Sequence, residues 1–346
     1  MAISTASLPQ VRPLLARPGA RFICAGDGLC CTDAHALGPV TPKERKQVEV
    51  FRSDATVYLP TLDARFLASK SDGSCIFLRP DALCSIHAEH GAAAKPDACQ
   101  RFPYGLVATP EGGRITTEHR CPCRTLGERP PLDIADADRA ITASKGRVDA
   151  DARIGARVPM TSRRRVGWRV YRAEEARILA RLESGDRPED VLDVAPLPAL
   201  RAGTWIEIAH LLRSYVDGTA CGEALVFAGD VLLAMLGERA RPLRARPWSK
   251  WFDRAEQRAK TPGDAEHMLR DYVADQIWRM DWCAFGATFA QGRADMATRV
   301  ALARAVAKSL RTAGARADRA MAEALFVVEL ASVTGTWEEL LHQIVA

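Results

Sequence analysis

The chain has 346 residues, 47% of them hydrophobic, with 48 basic and 43 acidic side chains giving a net charge of +5. That length and apolar content support a sizeable core and two domains rather than one. The charge is spread over both halves, so no basic block sets up a field toward nucleic acid, and no stretch reaches the ~18 apolar residues of a membrane span.

Pro9, Pro13 and Pro18 interrupt a start that has no apolar run of signal-peptide type. Thr41-Pro42-Lys43-Glu44 has the form of a capping box with proline at the first helical position, and predicts a short helix from Pro42. Short apolar runs at 56–59, 64–68 and 75–78 predict brief strands or extended loops. Residues 104–109 and 114–118, joined by Pro110-Glu111-Gly112-Gly113, read as a β-hairpin running directly into Cys121-Pro122-Cys123. After Pro130 and Pro131, residues 132–145 predict a connecting helix. Beyond Pro159 the apolar spacing is helical almost throughout, over 166–183, 197–216, 221–236, 265–289, 296–313 and 317–332. Breakers fall at Gly185, Gly218, Pro242, Pro247, Pro262, Gly292 and Gly335.

The predicted class is therefore α+β: a small, metal-stapled, cysteine-rich N-terminal domain with short strands (1–127), a linker with a connecting helix (128–158), and an all-α domain (159–346). All seven tryptophans lie beyond residue 165. The N-terminal part is thus expected to be held by metal–thiolate bonds, since structural metal binding is itself folding free energy.

Eight of the ten cysteines, Cys24, Cys30, Cys31, Cys75, Cys84, Cys99, Cys121 and Cys123, crowd the first third of the chain. There is no asparagine, so the chain has no glycosylation sequon and no Cys-His-Asn triad. A reducing, cytoplasmic location is the expectation, and there clustered thiols bind metal more often than they form disulfides. Thiolate is a soft ligand for zinc or for the irons of an iron–sulfur cluster, and four close either site. Eight could complete two four-thiolate sites, or one site with spare thiols. On an extended chain Cys30 and Cys31 would point to opposite faces and serve different metals or different jobs, whereas Cys121 and Cys123 would share a face. His35, His87, His90 and His119 also fall in this region as structural residues or alternative ligands.

At these residues the chain resembles the cysteine-cluster proteins of the CxxCxxCC (YkgJ) type, described as zinc- or iron-chelating. The resemblance covers about residues 22–124. It is carried by Phe22-Ile23-Cys24-Ala25-Gly26-Asp27-Gly28-Leu29-Cys30-Cys31, Gly73-Ser74-Cys75-Ile76-Phe77-Leu78, Cys84-Ser85-Ile86-His87 and Lys95-Pro96-Asp97-Ala98-Cys99-Gln100-Arg101-Phe102-Pro103. The family's usual second cysteine falls at Asp27, as a harder ligand, an acceptor behind the ligands, or a turn residue before Gly28, the turn being favoured. A looser resemblance, including His267-Met268-Leu269-Arg270-Asp271-Tyr272-Val273, is to the flagellin lysine-N-methylase branch. That resemblance would imply a [4Fe-4S] cluster and S-adenosylmethionine.

Independent cofactor motifs are missing. No G-x-G-x-x-G follows a strand, and the C-x3-C-x2-C spacing of radical S-adenosylmethionine enzymes is absent, its first two positions counted back from Cys31 holding Cys24 and Gly28. Glu118-His119 and Glu89-His90 read as structural polar pairs, Cys221 and Cys283 as packing thiols. Arg163-Arg164-Arg165 with Arg169 and Arg172, and the group from Arg239 to Arg246, read as solvated faces or ion pairs. The expected function is a metal-binding protein with an iron–sulfur or zinc site, iron with sulfide being favoured. Its alternative is an iron–sulfur-dependent protein-lysine N-methylase. A protein partner or substrate is expected on the helical half.

Overall fold

In the computed structural model a hairpin of Tyr104–Thr109 and Gly112–Thr117 forms the centre of a four-stranded sheet, and two-residue strands complete it. Leu14–Leu15 runs parallel to the second hairpin strand and Ala152–Arg153 parallel to the first. The structure describes residues 8–346 except 36, 143–145, 147, 239–245 and 260. Strands of two residues carry no periodicity, so the sequence offered no sign of either edge strand. The close approach of the first is possible because Gly112, at φ 144°, has no Cβ; one would stand 2.3 Å from the Pro13 carbonyl oxygen.

The other elements of the N-terminal part follow local chemistry. The helix Pro42–Phe51 begins in the expected reciprocal cap, with Thr41 Oγ1 accepting from the Glu44 N–H and the Glu44 carboxylate accepting from the Thr41 N–H at 2.7 Å. Thr56–Leu59 pairs antiparallel with Ala64–Leu67. Residues 75–78 form no strand and make isolated bridges, Ser69–Cys75 and Leu78–Cys84. Of the connecting helix expected over 132–145, the structure forms Ile134–Ile141, capped by Asp133; 143–145 lie outside the described residues.

Beyond residue 156 the chain is not helical from the start. Arg157–Thr161 and Arg164–Gly167 form a second hairpin, which the arginine run 163–165 disguised. Helices Trp168–Glu183, Ala220–Met235 and Ala317–Ser332 lie close to their expected spans. The expected helix over 197–216 is reduced to Trp205–Arg213, starting at the Thr204 cap. The stretch 265–289 is broken at Met280, whose φ of 56° separates Ala265–Arg279 from Asp281–Ala284. Gly292 is not a breaker: it lies inside Phe289–Thr312, where a Cβ would stand 2.5 Å from the Trp282 ring. That helix starts seven positions before its expected 296, at a Thr288/Gln291 capping box. The basic group from Arg239 lies outside the described residues up to 245; Arg246 pairs with buried Glu323.

Ala317–Ser332 is the hub of the core, buried from Asp318 onward. Its charged side chains are matched. Glu329 accepts from the Tyr272 hydroxyl (2.7 Å), Gln276 (3.1 Å) and Arg299 (3.3 Å), and Glu323 from the Trp248 indole (2.9 Å) and Arg319. The same hydrophobic cluster takes in Leu29, Leu78, Val107 and Leu126 from the cysteine-rich part. Among the described residues no single helix is long and apolar enough to cross a membrane; one bent pair, Ala317–Ser332 with Gly335–Gln343, passes by length and composition at an angle of 77°.

Two buried ion clusters fasten the cysteine-rich part to the helices. Arg114, fully buried, pairs with fully buried Glu175 at 2.7 Å between the rings of Trp168 and Trp278. Trp278 in turn donates to the Ile115 carbonyl at 3.0 Å. The tryptophans of the helical half thus also pack the hairpin. In the second cluster Arg17, Arg124 and His119 converge on Asp271 and Asp275, one turn apart on Ala265–Arg279.

Removing one member of such a buried set leaves the others uncompensated, which costs about 3–5 kcal/mol. Asp275→Ala is therefore expected to lower unfolding free energy by about that much in urea titrations; a loss near zero would show that the cluster is not formed. Burial pushes the Asp275 carboxyl up, but Arg17, Arg124 and His119 outweigh it and hold it well below the ordinary carboxylate range; Asp271 is lowered in the same way by Arg124 and Arg17. The stabilisation is fully present above the unfolded aspartate value of about 4 and is lost as pH falls below it, toward the folded-state values. Unfolding measured across that range should show this acid slope, weakened in Asp275→Asn; an unchanged slope would contradict the assignment.

Candidate metal centre

The loop 22–32 supplies three of the thiols through one unusual turn. Gly28 sits at φ 86° against Ala82, where a Cβ would come within 2.9 Å of the Ala82 Cβ, and it leads into the 3-10 turn Leu29–Cys31. Cys30 and Cys31 therefore do not lie on extended chain, as expected, and their sulfurs are 3.9 Å apart. The Asp27 carboxylate braces this turn, Oδ1 accepting from the Leu29 N–H at 2.8 Å. From the helical half, Arg258 donates to the Ala25 and Gly26 carbonyls.

The remaining thiols arrive on short, tied segments. The Cys75 N–H donates to the Cys31 carbonyl at 2.7 Å. Cys84 precedes the helix Ser85–His90, and Cys99 lies in Asp97–Arg101. Cys121 caps Pro122–Thr125 and Cys123 lies within it. Arg124 of that same short helix is the residue gripped by Asp271 and Asp275. Arg129 donates to the Pro122 (2.9 Å), Cys123 and Gly127 (2.7 Å) carbonyls. All eight cysteines, with Asp27, His87 and Lys95, line one cavity of about 1200 Å³ whose wall continues over Phe22, Leu59, Phe66, Phe102 and Tyr104.

The thiols interact in two groups. Cys123 stands at the middle of one: the Ala25 N–H donates to its sulfur at 3.0 Å, and the thiols of Cys121 and Cys24 hydrogen-bond to it. Asp27 Oδ2 lies 2.6 Å from the same sulfur, and the ligand atoms of Asp27, Cys121 and Cys123 all fall within 4.8 Å of one another. Cys30 interacts most with Cys31, and then with Asp27, Cys24 and Cys121. In the other group Cys99 feels Cys31, Cys75 and Cys84, and Cys75 feels Cys31 and Cys84.

Each group concentrates negative charge on one sulfur. Hydrogen bonds from Cys121 and Cys24 lower the Cys123 thiol far below its ordinary value against the opposing effect of burial. Burial and the neighbouring Cys123 push the Asp27 carboxyl well up. The Cys30 thiol lowers Cys31, with Lys95 adding to the effect. Burial instead pushes Cys75 and Cys99 up to about 12. A soft cation would find one thiolate ready in each group and displace protons from the rest.

Asp27, expected as ligand, acceptor or turn residue with the turn favoured, braces the turn and also accepts from the Cys123 thiol. The histidines have separate roles. The His119 Nε2 pairs with Asp275 at 2.7 Å, and His90 stacks on Phe51. His35 is buried against Phe102, and burial lowers its imidazole to about 3. Glu118 pairs with Arg120 at 2.8 Å, not with a reactive group. Cys221 and Cys283 are half-buried against the main core, as expected of packing thiols. Arg163, Arg164, Arg165 and Arg169 are exposed. Sequence reasoning missed Arg124, Arg129 and Arg258; among forty arginines nothing in their spacing sets them apart.

These are the features of a mixed α+β protein with a thiol-lined cavity fixed to a helical scaffold. No family model, curated protein or solved structure matches the chain.

In reduced, metal-free protein at neutral pH, iodoacetamide is expected to label Cys31 before Cys75 and Cys99, which are similarly exposed, because thiolates alkylate faster than thiols. Mass-spectrometric mapping that finds Cys75 or Cys99 labelled first would contradict the charge distribution described above.

Proposed function

We propose that this protein binds metal through Cys24, Cys30, Cys31, Cys75, Cys84, Cys99, Cys121 and Cys123, and that the bound group is an iron–sulfur cluster rather than zinc. The observation that carries the reading is the convergence of all eight thiols, from segments a hundred residues apart, on one cavity. The donor set fits: every ligand is a thiol, all ten cysteines are free, and N–H groups of Ala25 and Phe77 reach the sulfurs of Cys123 and Cys75. Hydrogen bonds to sulfur and a largely apolar surround are what tune iron–sulfur clusters. The bound metal would staple the cysteine-rich N-terminal part, which has no tryptophan of its own. A reducing, cytoplasmic setting suits free thiols of this kind.

The extent of the cavity favours a second reading, that of a protein-lysine N-methylase using S-adenosylmethionine. The thiols line one portion, and the apolar wall from Phe22 to Phe66 leaves room for an organic ligand beside them. The helical half would then present the protein substrate.

Metal analysis with a visible spectrum of anaerobically purified protein separates the possibilities. Iron with acid-labile sulfide and broad visible absorption is the expected result; stoichiometric zinc without sulfide would refute the iron assignment. Titrating the same protein with S-adenosylmethionine should give binding heat and a changed spectrum under the methylase reading, and the absence of both would end it.

A further inference from the structure

We infer that the eight thiols build two adjoining four-thiolate sites, an outer one of Cys24, Cys30, Cys121 and Cys123 and an inner one of Cys31, Cys75, Cys84 and Cys99. The inference rests on the reading of these cysteines as metal ligands and adds the number, membership and contact of the sites.

Membership follows from which cysteine-bearing segments lie against one another: the Ala25 N–H and the Asp27 carboxylate, beside Cys24 and Cys30, reach the Cys123 sulfur, whereas the Cys75 N–H reaches the Cys31 carbonyl and Leu78 bridges to Cys84. Cys123 is hydrogen-bonded by Cys24 and Cys121, and Cys121 also feels Cys30. Cys99 and Cys75 both feel Cys31 and Cys84. The division is four and four with none left over, and four thiolates are what either a tetrahedral zinc or a cubane cluster requires.

The backbone builds the two sets as separate frames. The outer frame is the loop held by Arg258 together with the short helix held by Arg124 and Arg129. In the inner frame Cys75 hangs from the Cys31 carbonyl, and the Leu78–Cys84 bridge closes the loop between its two cysteines. The frames meet at one peptide bond. Cys30 and Cys31 occupy a 3-10 turn, where successive side chains leave the axis about 120° apart, so one points into each site. Their sulfurs remain 3.9 Å apart, so the sites touch. The surroundings differ as well: Asp27 belongs to the outer set, and Lys95 acts on Cys31 and Cys99 of the inner one.

In sequence the sets are nested, since the inner site's last member, Cys99, precedes the pair that closes the outer one. Losing an inner ligand should therefore spare the outer site, and the reverse.

Metal and sulfide counts on the anaerobically purified full chain test the inference. About eight iron atoms and eight sulfides per chain are expected, or about two ions if the sites take zinc. Cys99→Ser and Cys121→Ser should each keep about half of the metal. In the iron-loaded form, dithionite reduction should give a broadened, split paramagnetic signal in the wild type and a simple one in either variant. Because a serine change can unfold the chain, the wild-type count decides on its own. A count equal to one cluster or one zinc ion overturns the two-site inference and leaves metal binding standing. A chain without metal overturns both.

Discussion

Two aspartates one turn apart, Asp271 and Asp275, bear the junction on which the cysteine-rich part depends. They draw in Arg17 from the N-terminal arm, His119 from the end of the hairpin and Arg124 from the short helix that carries Cys123. A buried ion cluster adds little net stability over well-packed apolar residues, but it demands one geometry. A guanidinium that must meet two carboxylates cannot slide by a residue, and this fixes the position of Cys121 and Cys123 against the loop bearing Cys24. The geometry of the thiols is thus inherited from a helix that contributes none of them.

This arrangement explains what could and could not be read in the sequence. Elements set by local chemistry were legible: the Thr41/Glu44 cap, the 56–59 strand, the hairpin before Cys121, and the long apolar helices. The two-residue edge strands, the second hairpin and the break at Met280 were not, because each is imposed by distant packing on a sequence without its own period. At the site, the eight cysteines and Asp27 stood out by type. The conformation of Cys30 and Cys31 did not, since it depends on Gly28 fitting against Ala82, more than fifty residues away. The arginines that hold the cysteine-bearing segments were hidden among many others, and only their partners distinguish them: the Asp271 and Asp275 carboxylates for Arg124, backbone carbonyls for Arg129 and Arg258.

The division of labour is also visible in where charge is tolerated. The helical half buries Glu175, Glu323 and Glu329, each with a matched donor, and Asp275 with three. The cysteine-lined cavity has an apolar wall and few such partners, so its sulfurs are left to share protons among themselves. Buried charge is thus matched by opposite charge among the helices, and buried sulfur mainly by other sulfur in the cavity.

The burial of Ala317–Ser332 has a consequence for synthesis. This helix packs on Ala220–Met235, Ala265–Arg279 and Phe289–Thr312, all of which precede it in the chain. Until it leaves the ribosome their inward faces have no common partner, and the aspartates of Ala265–Arg279 sit on an incompletely packed helix. The thiols emerge long before that, so they must spend much of translation on a nascent chain whose supporting scaffold has not yet been made.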